Sequence, residues 1–163
     1  MIFVTVGHQT PFDRLIEAMD GWAAQSGRDC LAQIGDGRYE PRHMRFERWM
    51  SPQRFQEAMQ QASAIVAHAG TGTILSAMQL GKPLLVLPRH SSRQETRNDH
   101  QIATARHFAA AGHVLAANDA AELVQLLPQV ERQAPRERIG GEASPQLLTA
   151  VRAFVHGEVG GAP

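Results

Sequence analysis

Three short polar stretches of this chain carry groups that can bind phosphate or transfer protons. They are Gly7-His8-Gln9-Thr10, His68-Ala-Gly70-Thr71-Gly72-Thr73, and the residues from Pro88 to Gln101. Glycine lets backbone N–H groups approach a ligand closely, and a helix that begins at such a turn points its free N–H groups at an anion. The segment 70–73 therefore predicts a diphosphate site, although a turn that binds nothing would need the same glycines.

Four histidines, His8, His68, His90 and His100, fall in or beside these stretches. Their number suggests a metal site, but no pair has the helical i, i+4 spacing or the short-loop spacing of metal ligands. Imidazole in a ligand cleft more often forms hydrogen bonds or transfers protons, because its pKa is near neutrality. We expect no metal and no cofactor.

The third stretch ends in Asn98-Asp99-His100-Gln101, four polar side chains at the start of a predicted helix. Capping by Asn98 or Asp99 would explain the first two. It would not explain His100 and Gln101, which makes them candidates for ligand contact.

Alternating strands and helices must position these stretches. Apolar and β-branched runs predict strands, and apolar residues at helical spacing predict helices. The first helix is expected to start at a Thr10 cap with Pro11 in its first position, and the second at a Ser51 cap. The predicted strands are 2–6, 30–34, 44–49, 64–68, 84–87 and 113–116. The later helices are 52–62, a helix that opens at 70–73 and closes at Gly81, 99–111, 120–130 and 145–156.

This order predicts an α/β fold, a Rossmann-like parallel sheet with helices on both faces. Ligands of such sheets bind outside the carboxyl ends of the strands, where loops 7–10, 68–73 and 88–101 are expected to meet. We predict one domain over 1–156, containing a solvated linker at 132–142, and a flexible tail at 157–163.

Composition excludes several classes of protein. The chain has 163 residues, with 16 basic and 16 acidic side chains, and one cysteine, Cys30. Balanced charge argues against a nucleic-acid binder, and a lone cysteine favours a reducing compartment. No apolar run approaches the roughly 20 residues that span a bilayer, so we expect a cytoplasmic protein.

Several motifs together resemble the carboxyl-terminal, nucleotide-sugar-binding half of family 28 glycosyltransferases. They are His68-Ala-Gly-Thr-Gly-Thr-Ile-Leu75, Gly81-Lys-Pro83, Pro88-Arg89 and Arg97-Asn-Asp-His-Gln101. The likeness covers residues 1 to about 117. It is greatest to single-domain bacterial subunits of exopolysaccharide glucuronosyl- and galactosyltransferases, with the catalytic subunit of the eukaryotic dolichol-pathway UDP-GlcNAc transferase a further relative.

The resemblance implies half of a GT-B fold and a UDP-sugar site. Gly70, Thr71, Gly72 and Thr73 would hold the diphosphate, next to His68. Gly7, His8, Gln9 and Thr10 would line the other side of the donor. Trp49 and Met50 match the place where a related enzyme packs the uracil. Gln101 matches a glutamine that binds the sugar hydroxyls, with Asn98, Asp99 and His100 beside it.

The chain departs from the family pattern in two places. Ser76 occupies the position of a ribose-binding glutamate. The loop at 7–12 is one residue shorter than the usual Gly-Thr-His-x-x-Pro-Phe, and we align His8 with the histidine of that pattern.

The family reaction is an inverting displacement, in which an acceptor hydroxyl attacks the anomeric carbon as UDP leaves. It needs a base and positive potential on the diphosphate. We expect His8 to be the base, with a partner chain as the alternative source. Two helix ends with Arg89 or Arg97 would replace a divalent cation. Arg89, Arg93 and Arg97 would pair with a carboxylate, which favours UDP-glucuronic acid.

The resemblance also implies a lipid-diphosphate-linked sugar as acceptor and a membrane-anchored partner subunit that brings the chain to the inner face of the membrane. One alternative is a non-catalytic, nucleotide-binding or accessory subunit of such a complex. A nucleotide-dependent oxidoreductase is excluded, because Gly-x-Gly-x-x-Gly does not follow the first strand.

Overall fold

The computed structural model describes residues 1–140 and Thr149. Within them the strands are β1 (Ile2–Thr5), β2 (Cys30–Gln33), β3 (Arg45–Glu47), β4 (Ala64–His68), β5 (Leu84–Leu87) and β6 (Leu115–Ala116). All pair in parallel, in the spatial order β3-β2-β1-β4-β5-β6. Strands β1, β2 and β5 are buried along their whole length, as a sheet covered on both faces requires.

Five helices cover this sheet in the described residues. They are α1 (Asp13–Ser26), α2 (Pro52–Gln61), α3 (Thr71–Gln79), α4 (His100–Ala110) and α5 (Ala120–Arg132). Helices α1 and α5 pack on one face of the sheet, against Ile2 and Val4. Helices α2, α3 and α4 pack on the other face, against Phe3. The predicted Rossmann-like α/β architecture is confirmed.

The start of α1 differs from the prediction. The helix begins at Asp13, its N-cap is Phe12, and no side chain caps it. The predicted cap, Thr10, donates its hydroxyl hydrogen bond to the Glu95 carbonyl (3.3 Å) instead. Because Thr10 is hydrogen-bonded to Glu95, which is distant in the chain, it does not cap α1 as the sequence predicts.

The second helix, α2, is capped at both ends. The Ser51 hydroxyl accepts a hydrogen bond from the Arg54 N–H (3.2 Å), as predicted. At the other end the Nζ atom of Lys82 donates to the carbonyls of Gln60 (2.5 Å) and Ala62 (2.7 Å). A cation on these carbonyls stabilises the negative end of the helix dipole.

The carboxyl-terminal part of the described chain lies against α3. The predicted linker begins after α5 ends at Arg132, and it is bonded rather than free. The Arg136 N–H donates to the Gly81 carbonyl (2.9 Å), and the Ile139 N–H donates to the Met78 carbonyl (3.3 Å). The predicted helix 145–156, apart from Thr149, and the predicted tail 157–163 lie outside the described residues.

None of the helices among the described residues has both the length and the apolar character needed to cross a bilayer.

The strand order places β1 beside β4 in the middle of the sheet. The chain leaves β1 toward β2 on one side and leaves β4 toward β5 on the other, so the loops after these two strands diverge. Such a divergence opens a crevice at the carboxyl ends of the strands, where ligands of this architecture bind.

Candidate functional site

Two buried polar side chains hold the beginning of the loop after β1 (residues 6–12). The Thr5 hydroxyl donates to the Gln33 side-chain carbonyl (2.6 Å), and it accepts from the Gly7 N–H (3.1 Å). The Gln33 amide nitrogen donates to the Gly7 carbonyl (3.2 Å). Both polar groups of the Gly7 backbone are thus fixed, with φ at 76°, a left-handed conformation that glycine adopts without strain.

The His68 imidazole lies at the end of β4, between the two glycine-containing loops. Burial, and then the positive charge of Arg89, lower its pKa from 6.5 to about 4. The ring is therefore neutral at physiological pH. Its buried Nδ1 atom has no hydrogen-bond partner within the described residues.

Arg89, at the start of the loop after β5 (residues 88–99), is 2% exposed. Its guanidinium donates to the carbonyls of Val6 (2.8 Å) and Thr10 (2.6 Å), and also to that of Pro11. It stacks on the Phe12 ring, 4.5 Å from the ring centroid. Arg89 was expected to pair with a ligand's phosphate or carboxylate, but the structure gives its N–H groups to main-chain carbonyls instead.

Glu95, in the loop after β5, connects this loop to the first turn of α1. Its carboxylate accepts two hydrogen bonds from Arg14, at 2.7 and 2.9 Å, and one from the His90 N–H at 2.9 Å. Burial alone would raise the pKa of Glu95, but these hydrogen bonds outweigh burial and hold the pKa below its usual value. The carboxylate is therefore ionised and matched to Arg14.

An open cavity of about 560 Å³ lies between these loops, at the carboxyl edge of the sheet. Its walls come from the loop after β1, the end of β4, and the segment 96–101. The lining residues are Val6, His8, Gln9, Thr10, His68, Arg89, Thr96, Arg97, Asn98, His100 and Gln101. Half of the residues expected at the donor site, His8 included, thus line one cavity.

The segment Gly70–Thr73 adjoins the cavity at His68, because Gly70 lies against the His68 ring. Gly70 is the N-cap of α3, and a Cβ atom on it would collide with the His68 ring. Thr71 and Gly72 are exposed, so the first N–H groups of α3 lie at the surface beside the cavity rather than among its lining residues. A phosphate bound there would face the positive end of the helix dipole.

Ser76 lies one turn further along α3 and does not line this cavity. Its hydroxyl donates to the Gly72 carbonyl (2.9 Å) within the helix. It borders a separate cavity of about 150 Å³ between α2 and α3, together with Phe55 and Met59. The structure does not bring Ser76 together with the lining residues.

Of the two residues expected to pack the uracil, only Trp49 has an accessible side chain. Trp49 is 47% exposed, and its ring lies beside Gly35. Its centroid is 5.6 Å from that of His8, with the planes inclined by 54°. Met50 is buried in the core between α2 and the sheet, so any ligand contact would come from its backbone.

Gln101 is held so that its amide nitrogen is left for a ligand. Its side-chain oxygen accepts a hydrogen bond from the Arg89 N–H (3.2 Å). Asp99 is the N-cap of α4, but its carboxylate accepts from the Ser91 N–H (2.8 Å) rather than from the helix. That bond holds the pKa of Asp99 below its usual value, and Asp99 does not line the cavity.

The four candidate histidines do not all lie at the cavity. His8, His68 and His100 line the cavity, whereas His90 does not. Across residues 1–140, no group of three or more His, Cys, Asp or Glu side chains is placed to hold a metal ion.

The sequence reasoning missed Arg14 and Glu95, and one signal was available. Arg14 occupies the first turn of α1, where the positive end of the dipole disfavours a cation. An acidic partner offsets that cost, and the loop after β5 supplies Glu95. Likewise, Thr5 and Gln33 are polar residues inside apolar strands, which signals a buried hydrogen-bond network.

Comparison with known proteins identifies relatives of this chain. The model of the glycosyltransferase family 28 C-terminal domain matches residues 1–144. A curated relative, the mouse UDP-N-acetylglucosamine transferase subunit ALG13, is 30% identical over 129 residues, which is 69% of this chain and 10% of the relative. The chain therefore spans about a tenth of the length of that relative.

Two solved structures share the fold. An NMR structure of ALG13 has a TM-score of 0.59 and 18% identity, covering 95% of this chain and 96% of that one. The crystal structure of Os79 from O. sativa in complex with UDP has a TM-score of 0.62 and 14% identity, covering 80% of this chain and 31% of that one. The predicted fold, the carboxyl-terminal half of a GT-B glycosyltransferase, is confirmed.

Proposed function

This chain belongs to glycosyltransferase family 28, as a protein of its C-terminal domain, and from that premise we propose that it is the catalytic subunit of an inverting, UDP-sugar-dependent transferase. One observation carries the proposal. The cavity at the divergence of β1 and β4 is lined by His8, by His68 and by Gln101, with the start of α3 beside it. These groups supply a base, a neutral hydrogen-bonding ring, an amide and an anion-binding helix end.

The diphosphate of the donor is assigned to the start of α3. A helix N-terminus stabilises an anion by about 0.3 to 1 kcal/mol when exposed and by up to about 2 kcal/mol when partly buried. Arg97 lines the cavity and is exposed, so it can approach the leaving phosphate, whereas Arg89 is held by carbonyls. We propose that these groups act in place of a divalent cation, which predicts turnover in the presence of a chelator.

The sugar of the donor is assigned to the side of the cavity formed by Gln101. Its amide nitrogen donates to hydroxyl oxygens, which every hexose offers. A glucuronate carboxylate would pair with Arg93 or Arg97, both exposed on the loop after β5. Because Arg89 is committed elsewhere, UDP-glucuronic acid loses one of its three expected partners, and UDP-N-acetylglucosamine, the donor named for the mouse relative, becomes the second candidate.

His8 is proposed as the base. It lines the cavity between the fixed ends of its loop, and its ring lies beside Trp49. As the acceptor oxygen attacks the anomeric carbon, its proton passes to the His8 imidazole. The bond from that carbon to the diphosphate oxygen breaks, UDP leaves with the electron pair, and the configuration inverts.

The acceptor is proposed to be a lipid-diphosphate-linked sugar of exopolysaccharide biosynthesis, delivered by a membrane-anchored partner subunit at the cytoplasmic face. The mouse relative is named as a transferase subunit, which supports a second chain. The cavity is partly open, which leaves room for an acceptor half supplied from elsewhere.

Calorimetry of the chain with UDP tests the donor assignment. We expect saturable binding below millimolar UDP. Heat that is absent at millimolar UDP, with the chain folded, would favour the non-catalytic accessory subunit instead. Coexpression with a membrane-anchored partner, followed by a donor screen on a lipid-diphosphate sugar, then tests catalysis. Activity of the isolated chain on a soluble acceptor would contradict the two-subunit arrangement.

A further inference from the structure

One carboxylate joins the two walls of the cavity. Glu95 immediately precedes the lining segment 96–101, and its side chain receives both hydrogen bonds of the Arg14 fork. The same Arg14 donates to the Pro88 carbonyl at 3.0 Å. Arg14 follows the loop after β1 in the chain, so this contact fixes the end of one wall against the beginning of the other.

The Glu95 backbone connects the two walls of the cavity at a second point. Its carbonyl accepts from the Thr10 hydroxyl and from the Arg89 guanidinium, both at 3.3 Å. Arg89 in turn holds the carbonyls of Val6 and Thr10. The loop after β1 is therefore anchored at Gly7 by Thr5 and Gln33, and at Thr10 by the Glu95 group.

His8 and Gln9 lie between these two anchors and are exposed. Nothing in the contacts of the described residues ties the His8 ring itself, apart from its approach to Trp49. The place of His8 in the cavity is thus set by the two ends of its loop.

The negative charge of Glu95 offsets the repulsion between two neighbouring arginine side chains. The guanidinium carbons of Arg14 and Arg89 lie 5.1 and 4.5 Å from the centroid of the same buried Phe12 ring. Two cations brought together in this way repel each other, and desolvation strengthens that repulsion. A carboxylate with a bidentate Arg partner removes the conflict.

We propose that Glu95, acting with Arg14, is a positioning residue that sets the separation between the His8 loop and the Thr96–Gln101 wall of the nucleotide-sugar cavity. This inference rests on the proposed function, because the cavity is the one assigned to the UDP-sugar. Glu95 touches no reacting atom and acts through His8 and the lining segment.

Glu95→Gln tests the proposal, because it keeps the shape and removes the charge. Arg14→Lys is the second variant and loses the fork. Glu131→Gln is the matched control, since Glu131 forms an ion pair with Arg28 (3.2 Å) away from the cavity. Each is measured for UDP affinity by calorimetry, for the backbone amide shifts of His8 and Gln9 by NMR, and for its unfolding midpoint.

We expect UDP affinity to fall about 10-fold in Glu95→Gln and Arg14→Lys, the scale of one lost charge-assisted hydrogen bond. The amide shifts of His8 and Gln9 should move in both, although neither residue contacts Glu95. A double variant should be no worse than Glu95→Gln alone, since the pair acts as a unit. Glu131→Gln should leave UDP affinity and these amide shifts unchanged, even where its unfolding midpoint changes.

The outcomes separate this inference from the proposed function. Wild-type chain that binds no UDP would refute the donor site, while the amide shifts would still test the positioning of the loop. Wild-type affinity together with unchanged His8 and Gln9 shifts in both variants would overturn the positioning role. If Glu95→Gln does not fold, Arg14→Lys with the same two readouts decides the question.

Discussion

The His68 ring occupies the space that a side chain on Gly7 would need. A Cβ atom at Gly7 would lie 2.5 Å from the His68 Cε1 atom, which is closer than real Cβ contacts come. Gly7 lies two residues beyond the end of β1, and His68 is the last residue of the neighbouring β4. The two can lie this close only because Gly7 has no side chain. His68 lines the cavity, so this contact lies at its edge.

Gly7→Ala should destabilise the chain. The substitution combines a clash with the His68 ring and a φ of 76°, and we expect it to lower the free energy of unfolding by about 2 to 4 kcal/mol. Gly21→Ala is the control, because Gly21 lies within α1 with nothing within 4 Å of an added Cβ. It should raise stability by up to about 1 kcal/mol. Urea titration measures both, and equal effects would refute the close fit.

Protonation of His68 should make stability depend on pH. The folded ring has its pKa lowered from 6.5 to about 4, so between these values the unfolded chain binds more protons. Stability therefore falls as pH drops from 6.5 toward 4, by on the order of 1 kcal/mol per pH unit, and His68 adds no further loss below that range.

The measurement compares the wild-type chain with His68→Gln. Glu95 and Asp20 have lowered pKa values, and the stability that they contribute is lost only below their usual values of 4.5 and 3.8. Unfolding free energies between pH 6.5 and 4.5 therefore isolate His68. The same slope in the variant would show that the slope comes from other groups.

Arg89→Met should cost stability as well as binding. The change leaves the buried Val6 carbonyl and the carbonyls of Thr10 and Pro11 without their donor, and we expect a loss of about 3 kcal/mol. Arg97→Met, at an exposed position of the same cavity, should change stability by no more than about 0.5 kcal/mol while weakening UDP binding. An Arg89→Met chain of normal stability that fails only to bind UDP would restore Arg89 as a ligand cation.

His8→Ala should separate binding from chemistry. With the partner subunit present, turnover is expected to fall by about 100- to 10,000-fold, as for loss of a general base, with UDP affinity nearly unchanged. His107→Ala, on the exposed face of α4, serves as the histidine control. Near wild-type turnover of His8→Ala would place the base on another chain.

Gln101→Met should discriminate sugar from nucleotide. Methionine removes the amide without adding charge, so we expect affinity for UDP-N-acetylglucosamine or UDP-glucuronic acid to fall about 10-fold and affinity for UDP to change by less than about 3-fold. Calorimetry with UDP and each UDP-sugar gives the ratio. An equal loss for UDP alone would move Gln101 from the sugar to the nucleotide.

Local signals predicted the elements well. Strand β4 at Ala64–His68 and strand β5 at Leu84–Leu87 have the predicted bounds, because their apolar runs are buried on both faces and are bordered by polar residues, glycine or proline. The start of α2 is also as predicted, because a Ser cap acts on its own first turn.

The position of the cavity was predicted, but the hydrogen bonds that hold its walls together were not. The three expected loops do meet, since strand order alone brings them together. The role of Arg89 could not be inferred, because its partners at Val6 and Thr10 are 83 and 79 residues away in the chain. The late start of α1 has the same cause, since Thr10 and Pro11 are bonded to the loop after β5.

The position of Lys82 has a consequence for labelling chemistry. It is the only lysine of the chain, and its ammonium is bonded to the end of α2. The basic side chains that line the cavity are instead arginines and histidines. Amine-directed crosslinkers and biotin esters will therefore leave the cavity unmodified, and mapping of a partner at this edge requires reagents for carboxylates, guanidinium groups or imidazoles.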